Sequence, residues 1–167
     1  HTPTTAYDIR VADTMYMHTA WRDTIYKRIL QSNVGPHNKY IYSDNDFIFL
    51  GKIVEAVSGM PLDEYIQKEI YRKLGLTNAG FSPLKRFPLS RIAPTENEKI
   101  FRRQLIRGDV HDPGAAMFGG VAGHAGLFSN AYDLSVMMQM MLDGGRYNGY
   151  YFFSPETIKT FTVKRSK

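Results

Sequence analysis

Residues 42–45 read Tyr-Ser-Asp-Asn. Two hydroxyls, a carboxylate and an amide stand in a row, a set that can move a proton and hold a polar substrate. The same letters can simply start a helix, because Ser and Asp accept hydrogen bonds from the free N–H groups of a first helical turn. The next residues are helical in pattern. Phe47, Leu50, Val54 and Val57 recur at helical spacing with Ile53 beside them, and Gly59 supplies a stop. Ser43 or Asp44 is therefore expected to cap a helix that buries this stripe. Either Tyr42 or Ser43 is the candidate proton carrier at its mouth.

The elements that must position this cluster read as helices joined by long loops. Thr19 is expected to cap a first helix, TAWRDTIYKRILQS, with Trp21, Ile25, Ile29 and Leu30 on its inner face, broken by Asn33-Val34-Gly35-Pro36. KYIY reads as a short extended piece before the cluster. After Gly59, Pro61 suits a first helical turn, and the pattern then buries Leu62, Tyr65, Ile66, Ile70 and Leu74 before stopping at Gly75. Residues 76–118 are punctuated by Pro83, Pro88, Pro94 and Pro113, and only KIFRRQLIRG reads as strand or helix. A loop of that length usually lines a site or wraps a neighbour. Asn130 followed by Asp133 resembles a capping box, with Asn as the cap and Asp reaching back. Leu134, Met137, Met138, Met141 and Leu142 form the expected buried stripe up to Gly144. Asn148-Gly149 marks a hairpin, and Ser154-Pro155-Glu156 opens a last short helix. The fold class is thus mainly α with long loops and little strand.

The 167 residues suit one ordinary domain, and 43% hydrophobic with 22% charged residues is the balance of a soluble globular chain. With no cysteine, disulfides, Cys-type zinc sites and a thiol nucleophile are excluded. No apolar run is long enough for a transmembrane helix. No signal peptide is visible, and since the chain opens on His1 rather than Met its natural start is expected upstream. A net charge of +5 raises nucleic-acid binding, but the bases are scattered (Arg22, Lys27, Lys52, Lys68, Arg72, Arg102) and KRSK at the end is the one tight run. Scattered cations read as solvated surface, so no nucleic-acid partner is expected.

Three blocks in order, YSDNDFIFLGKIVEAVSGMPLDEYIQKEIYRKLGLTNAGF, GDVHDPGAAMFGGVAGHAGLFSNAYDLSVMMQMMLDGG and GYYFFSPETIKTF, resemble the serine β-lactamase and penicillin-binding-protein-like family, in its class C β-lactamase and esterase branch. The matching pieces are Tyr42-Ser43-Asp44, Val57-Ser58-Gly59, Lys73-Leu74-Gly75-Leu76-Thr77 with Phe81, Ala125-Gly126-Leu127-Phe128-Ser129-Asn130 with Asp133-Leu134, and Phe153-Ser154-Pro155-Glu156-Thr157. The resemblance runs over residues 40–161. It implies the helical lobe of an α+β β-lactamase/transpeptidase-like fold. Residues 1–39 are then entry to that lobe, 162–167 a tail, and the whole chain a single partial domain.

That family works with a Ser-x-x-Lys helix, a Tyr- or Ser-x-Asn loop and a Lys- or His-Thr-Gly strand beside the oxyanion site. Only the loop motif is present. Ser82-Pro83-Leu84-Lys85 fits the first motif by letters, but it follows the tyrosine, whereas the family's nucleophile precedes it. Helical register separates Tyr42 from Ser43. The class C pattern places an apolar pair seven and eight residues after the tyrosine and glycine at nine, which from Tyr42 gives Phe49, Leu50 and Gly51. The resemblance thus implies that Tyr42 is catalytic, as general base or acid, and that Asp44 and Ser43 contact substrate. Asp44 stands where the family has Asn, and a carboxylate cannot donate as an amide does unless protonated.

The implied activity is acyl-enzyme hydrolysis of a β-lactam, a peptidoglycan-like amide or an ester, with no cofactor or metal, in the periplasm or another extracytoplasmic space. The isolated chain is expected to be silent, its partners being a small-molecule or peptidoglycan-like substrate and missing flanking segments of its own domain. Exposed apolar surface and self-association are expected. A non-catalytic module of the same fold, binding cell-wall or carbohydrate material or packing on a partner, is the rival reading. From local sequence alone Tyr42 reads as a core tyrosine ahead of a capped helix. His111, Asp112 and His124 match no standard zinc spacing, and loop support suits the histidines better. The methionines at 137–141 read as core, and Gly119, Gly120 and Gly123 as a tight backbone path.

Overall fold

A computed structural model describes residues 6–36 and 40–164. They form two compact units, one built from the chain up to Leu62 with Phe81–Leu127, the other from Asp63–Gly80 with the chain from Phe128 onward. Arg165, Ser166 and Lys167 of the basic tail lie outside the described residues, as do Asn38 and Lys39 at the break before the cluster.

The first unit opens with a hairpin, β1 (Ile9–Ala12) against β2 (Met15–Met17), antiparallel with Ile9 opposite Met17. No element was expected before the first helix, so this hairpin in the entry segment went unread in the sequence. Thr14 makes the tight turn in the left-handed region, at φ 56°. Helix α1 (Ala20–Leu30) comes next. Thr19 does not cap it: that residue is already helical and its hydroxyl makes no cap bond, while the His18 ring accepts the Ala20 N–H at 3.1 Å. Only Ile25 and Ile29 of the expected α1 stripe pack on the core; Trp21 and Leu30 are exposed.

Helix α2 (Asp44–Ser58) starts at Ser43, whose Oγ accepts the Asn45 N–H at 3.2 Å, and ends at Gly59 with φ 69°. Its buried positions are Ile48 and Gly51. The expected stripe is turned outward, with Leu50, Ile53 and Val57 all more than half exposed. The helix is apolar on more than one side, so periodicity alone does not say which side meets the core. Ile48 joins Ile9, Val11, Val110, Ala115, Ala116, Phe118 and Ala122 there.

The long loop of this unit is more ordered than its prolines suggest. Strands β3 (Pro94–Asn97) and β4 (Leu105–Arg107) form a second antiparallel hairpin. Between them, Glu98 accepts the backbone N–H groups of Ile100, Phe101, Arg102 and Arg103. Arg102, 2% exposed, donates onward to the carbonyls of Val110 and His111. Arg10 grips Asp109 with two bonds, at 2.8 and 2.9 Å. These contacts lead the chain into α5 (Pro113–Met117), capped by Asp112 with Pro113 at its first position.

The second unit begins at Asp63, the second residue of α3 (Leu62–Ile66), which runs as one rod with a π-helical turn (Gln67–Tyr71) and α4 (Arg72–Leu74). The extra residue of the π turn rotates the rest of the rod, and Tyr71 enters the core with Leu74. Gly75 stops the rod at φ 76°. Helix α6 (Ala131–Leu142) buries Asp133, Val136 and Met140, while Leu134, Met138, Met141 and Leu142 of the expected stripe face outward. Asn130 caps it, accepting the Asp133 N–H at 2.8 Å, but Asp133 does not reach back. Its Oδ2 accepts the Asn78 and Ala79 N–H groups instead, both at 2.7 Å. A hairpin, β5 (Arg146–Tyr147) and β6 (Tyr150–Tyr151), turns at Asn148-Gly149, both with positive φ as a type I′ turn requires. Ser154 caps the last helix, α7 (Pro155–Thr162). No helix among the described residues is long and apolar enough to cross a membrane.

Candidate active site

Helix α2 decides where Tyr42 stands. Ser43 is extended, at φ −145° and ψ 131°, so the chain turns sharply between the tyrosine and the helix. Tyr42 is 62% exposed, which overturns the core-tyrosine reading. Its phenol donates to Asp44 Oδ1 at 3.1 Å, and its ring lies 5.8 Å from that of Phe47. The Asp44 hydrogen bond, helped by desolvation and by the nearby negative charge, raises the Tyr42 phenol above its ordinary value. Asp44 and Asp46 both sit in the first turn of α2, where the helix dipole favours negative charge. The structure thus brings Tyr42 and Asp44 into contact and commits the Ser43 hydroxyl to the cap.

The nearest lysine along this helix is not poised for Tyr42. Lys52 lies ten residues on, about 15 Å along a helix axis. It pairs with Glu55 at 2.7 Å and sits 4.8 Å from the Tyr26 ring centroid. Glu55 uses its other oxygen to accept the Leu62 N–H at 3.2 Å, a bond within the first unit. Ser82 has φ 48° and leads into a single 3-10 turn, Pro83–Lys85. Ser82 and Lys85 therefore do not share an α-helical face, in keeping with the order of the motifs along the chain.

The seat beneath α2 is the glycine-rich loop around His124. A Cβ on Gly51 would lie 3.1 Å from Gly123 N, and one on Gly123 would collide with the Phe47 carbonyl. Two glycines thus let the loop backbone touch the first turns of the helix that carries Tyr42. The side chain of His124 beside them is 3% exposed, and its Nε2 lies 2.9 Å from Asp112 Oδ1. The same carboxylate oxygen accepts the Ala115 N–H at 2.6 Å. Burial would raise Asp112, but the Ala115 and His124 contacts outweigh it and hold the carboxyl below its ordinary value. His111 Nδ1 lies 3.2 Å from Glu96 Oε2 and is well exposed. Among the described residues no three His, Cys, Asp or Glu gather as a metal site. The Asp112–His124 pair went unread in the sequence, although Asp-Pro is a helix-start signal that marks Asp112 as a cap.

A family model described as Beta-lactamase matches residues 3–152. A protein of Escherichia coli O157:H7 named "Putative D-alanyl-D-alanine carboxypeptidase" is 49% identical over 140 residues, which are 77% of this chain and 32% of that protein. A D-amino acid amidase from Ochrobactrum anthropi, solved with D-phenylalanine, superposes with a TM-score of 0.57 at 13% identity, over 93% of this chain and 43% of the amidase. The octameric penicillin-binding protein homologue from Pyrococcus abyssi gives 0.52 at 22% identity, over 79% of this chain and 27% of its own. At these identities the structural likeness is one of fold. It agrees with the β-lactamase/transpeptidase-like architecture that the sequence blocks implied. The chain spans about a third of the length of the curated relatives it matches.

Proposed function

Because this chain belongs to the beta-lactamase family, we propose that it supplies the tyrosine of a serine hydrolase whose Ser-x-x-Lys nucleophile and Lys- or His-Thr-Gly strand come from elsewhere in the same protein. The observation that carries this is Tyr42 itself, exposed at the capped mouth of α2 with its hydroxyl pointing to one partner, Asp44. The reaction is acyl transfer. A serine oxygen attacks a carbonyl of a β-lactam, a peptidoglycan-like amide or an ester, the serine proton leaves through the tyrosine–lysine relay, and the departing group takes a proton back. Water then releases the acyl group. Resemblance to a protein named for D-alanyl-D-alanine carboxypeptidase activity favours the peptidoglycan-like amide and an extracytoplasmic location.

In the arrangement seen, Tyr42 holds its proton for Asp44. That suits protonation of a leaving group; acting as base requires a cation close to the phenol. The test has two arms. The 167-residue chain, treated with a fluorescent penicillin, should carry no label after denaturation; a retained label would show a nucleophile within it. In the longer protein carrying a Ser-x-x-Lys upstream, Tyr42→Phe should lower kcat/KM by about 10²–10⁴, and an unchanged rate removes Tyr42 from the mechanism.

Asp44, accepting the Tyr42 hydrogen bond where the family has an amide, favours a second reading. The chain would then be part of a non-catalytic module that binds cell-wall or carbohydrate material or packs on a partner. A coding sequence with no Ser-x-x-Lys upstream of His1 decides for that reading.

A further inference from the structure

Hairpin β1–β2, the start of α1, Phe101 and Met117 surround a cleft of about 500 Å³, within the size range of small-molecule sites. Met15, Met17 and Met117 give it soft, adaptable walls, and Trp21, 49% exposed, a flat one. Two N–H donors stand among these apolar groups. The His18 ring uses Nδ1 to accept the Ala20 N–H at 3.1 Å, so the neutral ring carries its proton on Nε2. The Arg28 guanidinium lies 5.9 Å from the centroid of the Trp21 ring and has no carboxylate partner among the described residues. Among the described residues no Asp or Glu lines the cleft.

An apolar slot whose one permanently charged wall group is a cation complements an apolar anion. A ligand without an acceptor would leave the donors unpaired on desolvation, a neutral acceptor would leave the Arg28 charge unmatched, and a cation would be repelled. We propose that this cleft binds a small carboxylic acid with an aromatic or branched aliphatic body. The body lies between the methionines and Trp21, and the carboxylate meets Arg28 and His18. Neither Tyr42 nor Asp44 lines the cleft, so this site stands or falls separately from the acyl-transfer reading.

Trp21 is the chain's single tryptophan, so its emission reports the cleft. The 167-residue chain would be titrated with 4-phenylbutyrate and, in parallel, with the neutral 4-phenylbutyramide. The acid should give a saturable change in emission, with the amide and Arg28→Gln each weaker by about tenfold or more, as expected for loss of a charge-assisted bond. No saturable change with the acid overturns the proposal. So does equal affinity for acid and amide, which marks indiscriminate apolar adhesion. The acid–amide pair is measured on unaltered protein, so the outcome does not depend on how the variant folds.

Discussion

Tyr42 donates its phenolic hydrogen to the Asp44 carboxylate two residues on, across 3.1 Å, at the open end of α2. The bond is local, exposed and proton-holding. It makes the residue at the asparagine position a controller of the tyrosine's titration.

Asp44→Asn should therefore lower the Tyr42 pKa relative to the unaltered chain. The negative charge that opposes phenolate goes, and the acceptor of the phenol proton becomes a weaker, neutral amide oxygen. Spectrophotometric or NMR titration of Tyr42 reads this directly; a value unchanged or higher in the variant contradicts the assignment. The same substitution restores the family's Tyr-Ser-Asn letters and, in a longer protein holding the nucleophile, is expected to raise rather than lower turnover.

Ser43 is a cap before it is anything else. Ser43→Ala removes the acceptor for the Asn45 N–H and should cost about 1 kcal/mol of stability in urea denaturation. Ser43→Asp, which can accept the same bond, should recover most of it. Failure of that rescue would indicate a role for the hydroxyl beyond the cap.

Glu98 makes its loop acid-sensitive. Burial alone would raise this carboxyl, but the N–H groups of Phe101, Arg102, Ile100 and Arg103 outweigh it and hold the value down to about 2. With the folded value depressed below that of the unfolded chain, roughly 4.3, the stabilisation is fully present above the unfolded value. It is lost as pH falls toward 2. Amide exchange at residues 100–103 should accelerate, relative to the rest of the first unit, over that window. Glu98→Gln should flatten the dependence; an unaltered acid profile in the variant would refute it.

Asp133 clamps the second unit. It is 1% exposed, and one carboxylate oxygen holds two backbone N–H groups of residues 78 and 79. Asp133→Ala leaves those donors without this acceptor and should destabilise by about 3 kcal/mol, two charge-assisted bonds being partly offset by relaxation. Asp133→Asn keeps an acceptor oxygen and should cost less. Equal losses would show that charge, rather than the acceptor, is what the clamp needs.

Gly51 of α2 and Gly123 of the loop beneath it differ in how much room they leave. Gly51→Ala brings a methyl within 3.1 Å of Gly123 N and 3.3 Å of Leu62 Cδ2, whereas Gly123→Ala drives one into the Phe47 carbonyl. Overpacking of this kind costs about 1–3 kcal/mol, with Gly123→Ala the worse of the two by thermal denaturation. Chemical shifts of Tyr42 should move in both variants, because the loop and the helix mouth share this contact.

What the amino-acid order determined by itself is what depends on neighbours in the chain. Ser43, Asn130 and Ser154 cap their helices, Gly59 and Gly75 end theirs, and Asn148-Gly149 turns its hairpin, because each of these is settled within a few residues by backbone dihedrals and a single short hydrogen bond. Family membership was legible for a related reason, since ordered blocks of letters survive where contacts cannot be seen. The buried faces were not legible. Helix α2 turns Ile48 and Gly51 inward rather than Leu50 and Val57, and α6 turns Val136 and Met140 rather than Leu134 and Met138. Both helices carry apolar residues on more than one side, and only the surface each one meets selects between the sides. The carboxylates behave in the same way. Asp133 reads as a box residue but answers amides 54 and 55 positions away, and Asp112 finds His124 twelve positions on, past α5. A charge takes the strongest partner that folding brings near, and that partner is set by packing rather than by spacing along the chain.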